Sequence, residues 1–225
     1  MTEGVPDAHP RGSATPLTAL VFAGGAARRM GGEKCGQPFE GRSLLARSLD
    51  LARAVAAERL LLPGARDLAA ELGGALPADM RRVADWPDAP GPLGALGAGL
   101  EAAGHDWCLA LPCDMPRLTP AVVAELARHA PATPAAVVVR GPAGREPFGA
   151  LYHRALLPAL RSCVDGGERS LQGWLDACAA DGRLVEVPAR AFAAVDPELS
   201  FLHNVNTPAD LGSGTHPNTV ARPTP

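Results

Sequence analysis

The sequence predicts an α/β fold, a doubly wound sheet covered by helices on both faces. Three observations carry this. Short apolar runs alternate with alanine- and leucine-rich stretches of helical periodicity from Thr18 to Leu211. The first apolar run breaks directly into a glycine-rich segment, as a buried strand does where it feeds a ligand loop. At 225 residues the chain suits one domain with a core large enough to need no staples, and no internal repeat is present.

The elements follow in order. The first strand is expected over 18–23. A helix over 43–57 carries Leu44, Leu45, Leu49, Leu51 and Val55 on one face, with Ser43 as its cap. A strand over 59–62, a short helix over 67–72 and a brief strand over 82–84 lead to Asp85. A proline-rich loop, 86–92, opens a small-residue helix over 93–103. The strand over 107–111 ends at Pro112-Cys113-Asp114-Met115-Pro116, and Thr119 caps a helix reaching about Ala130. Strands over 135–140 and 148–152, helices over 155–163 and 170–180, and a strand over 184–187 follow. A last short helix begins near Thr207. The polar, proline-containing stretches 1–16 and 212–225 read as disordered segments flanking a domain over 17–211.

Composition excludes several classes of function. A net charge of −3 without a basic patch argues against nucleic-acid or membrane-surface partners. The apolar runs are too short to span a bilayer, and the N-terminal stretch lacks the apolar region of a secretory signal. The five cysteines are scattered and odd in number, and the six histidines form no ligand-spaced cluster. That pattern favours reduced thiols in a cytoplasmic protein over a disulfide framework or a zinc site.

Four polar sites stand at or just beyond the expected ends of strands, where ligands of such sheets bind. The first is Phe22-Ala23-Gly24-Gly25, followed by Arg28, Arg29, Gly31, Gly32 and Lys34. Glycines let a backbone approach a ligand and present its N–H groups, and the flanking cations suit a polyphosphate. No Gly-Lys-Ser/Thr follows, so this is not a Walker loop, and the spacing is not Gly-x-Gly-x-x-Gly. A plain turn with solvated arginines is the competing reading. Asp85, ahead of Pro90-Gly91-Pro92-Leu93, reads as an acceptor beside a preformed pocket or as a capping aspartate on a turn. Asp114, braced by prolines, reads as a magnesium ligand or as a cap for the helix near Thr119. Asn204 and Asn206 fall on one face of an extended segment, placed to hold a second substrate or a metal-bound water, or to form an Asx-turn leading into the last helix.

Taken together, Ala23-Gly24-Gly25-x-x-x-Arg29-Met30-Gly31-x-Glu33-Lys34, Asp85 with Gly91-Pro92-Leu93, Cys113-Asp114-Met115-Pro116 and Asn204-Val205-Asn206-Thr207-Pro208 resemble the motifs of the molybdenum cofactor guanylyltransferases and their nucleotidyltransferase relatives. The resemblance runs from about Leu20 to Leu211. It implies a single-domain Rossmann-like nucleotidyltransferase fold with a mixed, mostly parallel sheet. It also implies transfer of GMP from GTP to the phosphate of the molybdopterin cofactor, with Mg²⁺ at Asp114 and pyrophosphate released, and molybdoenzymes or their chaperones as further partners. On the matching positions, Arg29, Lys34 and Asp114 are the catalytic candidates. Phe22, Ala23, Gly24, Gly25, Lys34, Asp85, Pro92, Leu93 and Asp114 are the nucleotide-binding candidates, and Asn204 and Asn206 those for the pterin. The chain departs from the family at Phe22, Ala27 and Glu33, where Leu, Ser and Asp are usual, and at Glu146, where a histidine or glutamine is usual. Residues 62–66 also lack the asparagine common in guanine-using members. Cytidylyl transfer to the same pterin, and an idle nucleotide- or cofactor-binding relative, are the competing functions.

Overall fold

The computed structural model describes residues 16–24, 34–68, 72 and 74–212. In chain order the elements are β1 (Leu17–Phe22), β2 (Pro38–Phe39), β3 (Arg42–Ser43), α1 (Leu44–Val55), β4 (Glu58–Leu62), β5 (Arg81–Arg82), α2 (Pro92–Ala102), β6 (Trp107–Pro112), α3 (Pro120–Ala127), β7 (Ala136–Gly141), β8 (Gly144–His153), α4 (Leu157–Asp165), α5 (Leu171–Ala180), β9 (Leu184–Pro188) and α6 (Pro208–Gly212). Seven strands form one sheet in the order β5-β4-β1-β6-β8-β7-β9. Only β8 runs antiparallel to its neighbours, so the sheet is mixed and mostly parallel.

Alternation along the strands builds two apolar layers, because successive side chains leave opposite faces. Ala19, Val21, Leu61, Leu109, Leu111 and Val137 point to the layer shared with α1 and α3. Leu20, Phe22, Leu60, Leu62, Ala110 and Val138 point to the layer shared with α2, α4 and α5. Every residue of β1 and β6 is buried, as strands covered on both faces must be. Ser43, Thr119 and Ser170 accept from the backbone N–H three residues on and so cap α1, α3 and α5.

Several expectations are corrected. The helix expected over 67–72 falls mostly on 69–71, outside the described residues; across them the Leu72 N–H donates to the Leu68 carbonyl at 3.0 Å. The two-residue strands β2 and β3 form a hairpin that no periodicity announces. β8 begins at Gly144 rather than Phe148, because its first half extends beyond the end of β6 and is only partly buried. Helix α3 stops at Ala127. Of the stretches 1–16 and 212–225, all but Pro16 and Gly212 lie outside the described residues.

Candidate active site

Strands β4, β1 and β6 end level with one another: Phe22 is in register with Leu62 on one side and Pro112 on the other. Their continuations therefore lie side by side beyond the sheet's carboxyl edge. The N–H groups of Ala23 and Gly24 both donate to the Leu62 carbonyl, at 3.0 and 3.1 Å. A Cβ on Gly24 would stand 3.1 Å from Pro63 C, Pro63 O and Gly64 N, all of them backbone atoms. Gly64 itself has φ +60°, which disfavours a side chain there too. Gly24→Ala is accordingly expected to force the two loops apart and lower Tm by several degrees, the effect of about 1–3 kcal/mol of overpacking in a small domain. A thermal melt checks this, and an unchanged Tm would mean that the loops separate freely.

Asp85 lies behind Gly64, with Oδ2 3.8 Å from where a Gly64 Cβ would be. Its Oδ1 is buried and has no hydrogen-bond partner. Desolvation raises the Asp85 pKa above its ordinary value of 3.8, and the Gly91 N–H opposes this only in part. The folded state therefore keeps a proton that the unfolded chain has released. Stability falls as pH rises from the unfolded pKa through the folded one, and the loss persists above that window. Asp85→Asn is expected to raise Tm at neutral pH, with the gain vanishing below about pH 3.8. The same variant should bind nucleotide on the order of 10-fold more weakly, the worth of a hydrogen bond to a charged group. Parallel melts and nucleotide titrations test both halves; a Tm that falls would remove the desolvation account.

Three nucleotide-binding candidates, Phe22, Ala23 and Leu93, are core side chains. Phe22 is 8% exposed and packs edge-on against Phe148 with ring centroids 5.0 Å apart; Leu93 is 2% exposed. Contact with a ligand would fall to their backbones. Pro92 is exposed at the first turn of α2, as expected.

Asp114 is half-buried between the buried Cys113 and Met115. Its carbonyl accepts the Val205 N–H at 2.8 Å, and this bond carries the asparagine motif to the crevice. The motif does not follow a strand: Ser200–Leu202 is a 3₁₀ turn, and 203–206 has no regular structure. The two asparagines also differ. Asn204 is half-buried, with Oδ1 buried and without a hydrogen-bond partner, whereas Asn206 is exposed. The Asp210 carboxylate, in the first turn of α6, accepts from the Asn206 and Thr207 N–H groups at 2.8 and 2.7 Å.

Glu146, half-buried on β8, lies within range of the Asp114 charge. Burial first, then the Asp114 charge, push its pKa upward. The Asp114 and Glu146 carboxylates and the Asn204 amide oxygen are hard oxygen donors of the kind Mg²⁺ takes together with waters and phosphate oxygens. No group of three His, Cys, Asp or Glu able to hold a metal alone exists among the described residues.

Gly25 and Arg29 lie outside the described residues, and Lys34 is described only as the start of a 3₁₀ turn, Lys34–Gly36. The Cys35 thiol anchors that turn by donating to the Ala23 carbonyl at 3.4 Å. One cation beside the loop was not foreseen. Arg66 Nη1 donates to the same Ala23 carbonyl at 3.1 Å. Residues 62–66 were read for an amide, and the arginine at their end was the signal available. Arg140 and Arg145 share Glu186, Arg145 also pairs with Asp176, Arg161 pairs with Asp88, and Arg169 donates to the Val164 carbonyl. These four are engaged within the surface, as solvated-face charges are.

Residues 19–181 match the model of the MobA-like NTP transferase domain. A molybdenum cofactor guanylyltransferase of Pseudomonas putida is 33% identical over 175 residues, 75% of this chain and 84% of the relative. A probable molybdenum cofactor guanylyltransferase of Deinococcus radiodurans is 34% identical over 203 residues, 87% of this chain and 92% of the relative. The crystal structure of molybdopterin-guanine dinucleotide biosynthesis protein A from Archaeoglobus fulgidus has the same fold, with a TM-score of 0.72 and 24% identity over 88% of this chain and 96% of that one. No helix among the described residues is long and apolar enough to cross a membrane. With the mixed sheet and its glycine-lined carboxyl edge, these matches make the chain a member of the MobA-like family of nucleotidyltransferases.

Proposed function

We propose that the chain is a molybdenum cofactor guanylyltransferase, transferring GMP from GTP to the phosphate of molybdopterin and releasing pyrophosphate. The observation that carries this beyond family membership is the unmatched Asp85 Oδ1, buried behind the glycine pair Gly24 and Gly64. A carboxylate offers only acceptors, and guanine presents two adjacent N–H donors on one edge, which a carboxylate can take as a pair. Cytosine offers a single amino group beside two acceptors and would leave one oxygen unmet. Asp85 therefore supports guanine where residues 62–66 supply no amide.

In the transfer, a pterin phosphate oxygen attacks the α-phosphorus as the bond to the bridging oxygen of pyrophosphate breaks. The attacking phosphate is already anionic near neutral pH, so neither a protein nucleophile nor a strong base is required. The residues position and stabilise. Loop N–H groups, Arg29 and Lys34 take the triphosphate charge, and Asn204 meets the second substrate from the other side. A divalent cation at Asp114, with Glu146 and Asn204 close by, would neutralise the crowded phosphate oxygens. Magnesium is the natural choice for this oxygen donor set.

Supplying molybdopterin with GTP, CTP or ATP in turn and measuring pyrophosphate tests the reading. GTP alone is expected to give release. Release with CTP in preference would replace guanine by cytosine, and GTP binding without release would make the chain a cofactor-binding relative.

A further inference from the structure

Asp85 is followed at once by Trp86, and two glycines of α2 receive the loop that this tryptophan opens. A Cβ on Gly97 would stand 2.5 Å from Cζ3 and Cη2 of the Trp86 ring, and one on Gly94 1.7 Å from the Ala89 carbonyl oxygen. A side chain at either place would lift the loop off the helix. The Trp86 indole N–H donates to Glu101 Oε2 at 2.9 Å, one turn beyond Gly97 on α2. Within the loop the N–H of the buried Ala89 donates to the Trp86 carbonyl at 3.2 Å. On the other side of Asp85 the Val83 N–H donates to the Leu61 carbonyl at 2.9 Å, which ties the chain to β4.

Arg161 closes this arrangement from α4. Its guanidinium lies over the Trp86 ring, 4.7 Å from the centroid. Two of its nitrogens donate to the two oxygens of Asp88, and its Nε pairs with Asp165 at 3.2 Å. A single ion pair at an exposed surface contributes little to stability. This one is forked, rests on an aromatic ring and holds two residues of the same loop, a geometry that suits arginine.

We propose that Arg161, acting through Trp86 and Asp88, is a positioning residue for Asp85 and sets how sharply the site discriminates between purine bases. The proposal rests on the reading of Asp85 as the guanine acceptor. Left to itself, the Asp85 carboxylate would turn outward, because its Oδ1 is buried without a hydrogen-bond partner and water would supply one. Desolvation already raises its pKa, as expected of a carboxyl held away from water by its surroundings. Pinning the next residue to α2 and α4 prevents that turn. A carboxylate fixed before the nucleotide arrives spares binding the cost of ordering the loop. The gain is largest for a base that meets both oxygens. Guanine offers two N–H donors on that edge, whereas hypoxanthine lacks the amino group and keeps one. Loosening the loop therefore weakens GTP more than inosine triphosphate.

The test compares the full-length wild type with Arg161→Gln and Trp86→Leu in two measurements. The first is equilibrium binding of GTP and of inosine triphosphate. The second is a carboxyl-carbon NMR titration of Asp85, its signal identified by loss in Asp85→Asn. The wild type is expected to prefer GTP by on the order of 10-fold. Both variants should bring that preference to within about 3-fold of parity, with the Asp85 pKa falling towards its ordinary value of 3.8. Arg161 stands at the surface, so Arg161→Gln should keep the fold, and it decides the matter if Trp86→Leu does not fold. A merely stabilising contact would lower Tm and leave both the base preference and the Asp85 titration in place; either one unchanged in Arg161→Gln overturns the proposal. A wild type that binds both nucleotides equally, or neither, removes Asp85 from guanine recognition instead. The titration then decides alone: a fall in Arg161→Gln supports the positioning role, and no change ends it.

Discussion

Asp114→Ala is expected to lower pyrophosphate release by about 1,000-fold or more and to abolish its dependence on divalent metal. The size follows from what the residue would do: a carboxylate at the mouth of the crevice would fix the cation against the phosphates. The fold should survive. The contact that ties this loop to the asparagine motif is made by the Asp114 carbonyl to the Val205 N–H at 2.8 Å, which alanine retains. Loss of the Asp114 charge also relieves Glu146, whose pKa that charge helps to raise. Tm should therefore change by no more than a few degrees, the range of a half-exposed substitution. The measurements are pyrophosphate release against Mg²⁺ concentration and a thermal melt. Metal-dependent turnover surviving in the variant would place the cation on Glu146 and Asn204 instead.

What the sequence made readable follows from where each element sits. β1 and β6 are buried on both faces, so they appear as unbroken apolar runs, and the acidic residues just past β5 and β6 were visible as breaks in pattern. β5 is two exposed arginines at the sheet's edge, so no apolar signal accompanies it, and it was placed one residue late. The start of β8 was hidden because Arg145, Glu146 and Pro147 lie past the end of β6, where one neighbour is missing and burial is partial. The site divides the same way. Asp85 and Asp114 could be named from position along the chain. That Asp85 has an unmatched oxygen, that Glu146 comes within range of the Asp114 charge, and that Arg66 reaches the Ala23 carbonyl depend on distances between strands that only the folded sheet fixes.

Lys34→Ala is expected to slow pyrophosphate release by about 100- to 1,000-fold while changing GTP affinity far less. The reasoning separates binding from chemistry. The ground-state triphosphate would also be held by loop N–H groups and by a divalent cation, so one lysine should add little to affinity. As the bond to pyrophosphate breaks, negative charge grows on the leaving oxygens, and a cation fixed near them stabilises that charge more than the starting state. Lys34 begins a short turn whose backbone is pinned next to β1 by the Cys35 thiol on the Ala23 carbonyl, so its starting point is set close to the glycine loop. Arginine at this position should not restore the rate, because a planar guanidinium does not reproduce a compact ammonium. Single-turnover release and equilibrium GTP binding, measured on Lys34→Ala and Lys34→Arg, separate the two effects. A defect confined to GTP affinity would reduce Lys34 to a binding residue and shift stabilisation of the departing pyrophosphate to Arg29.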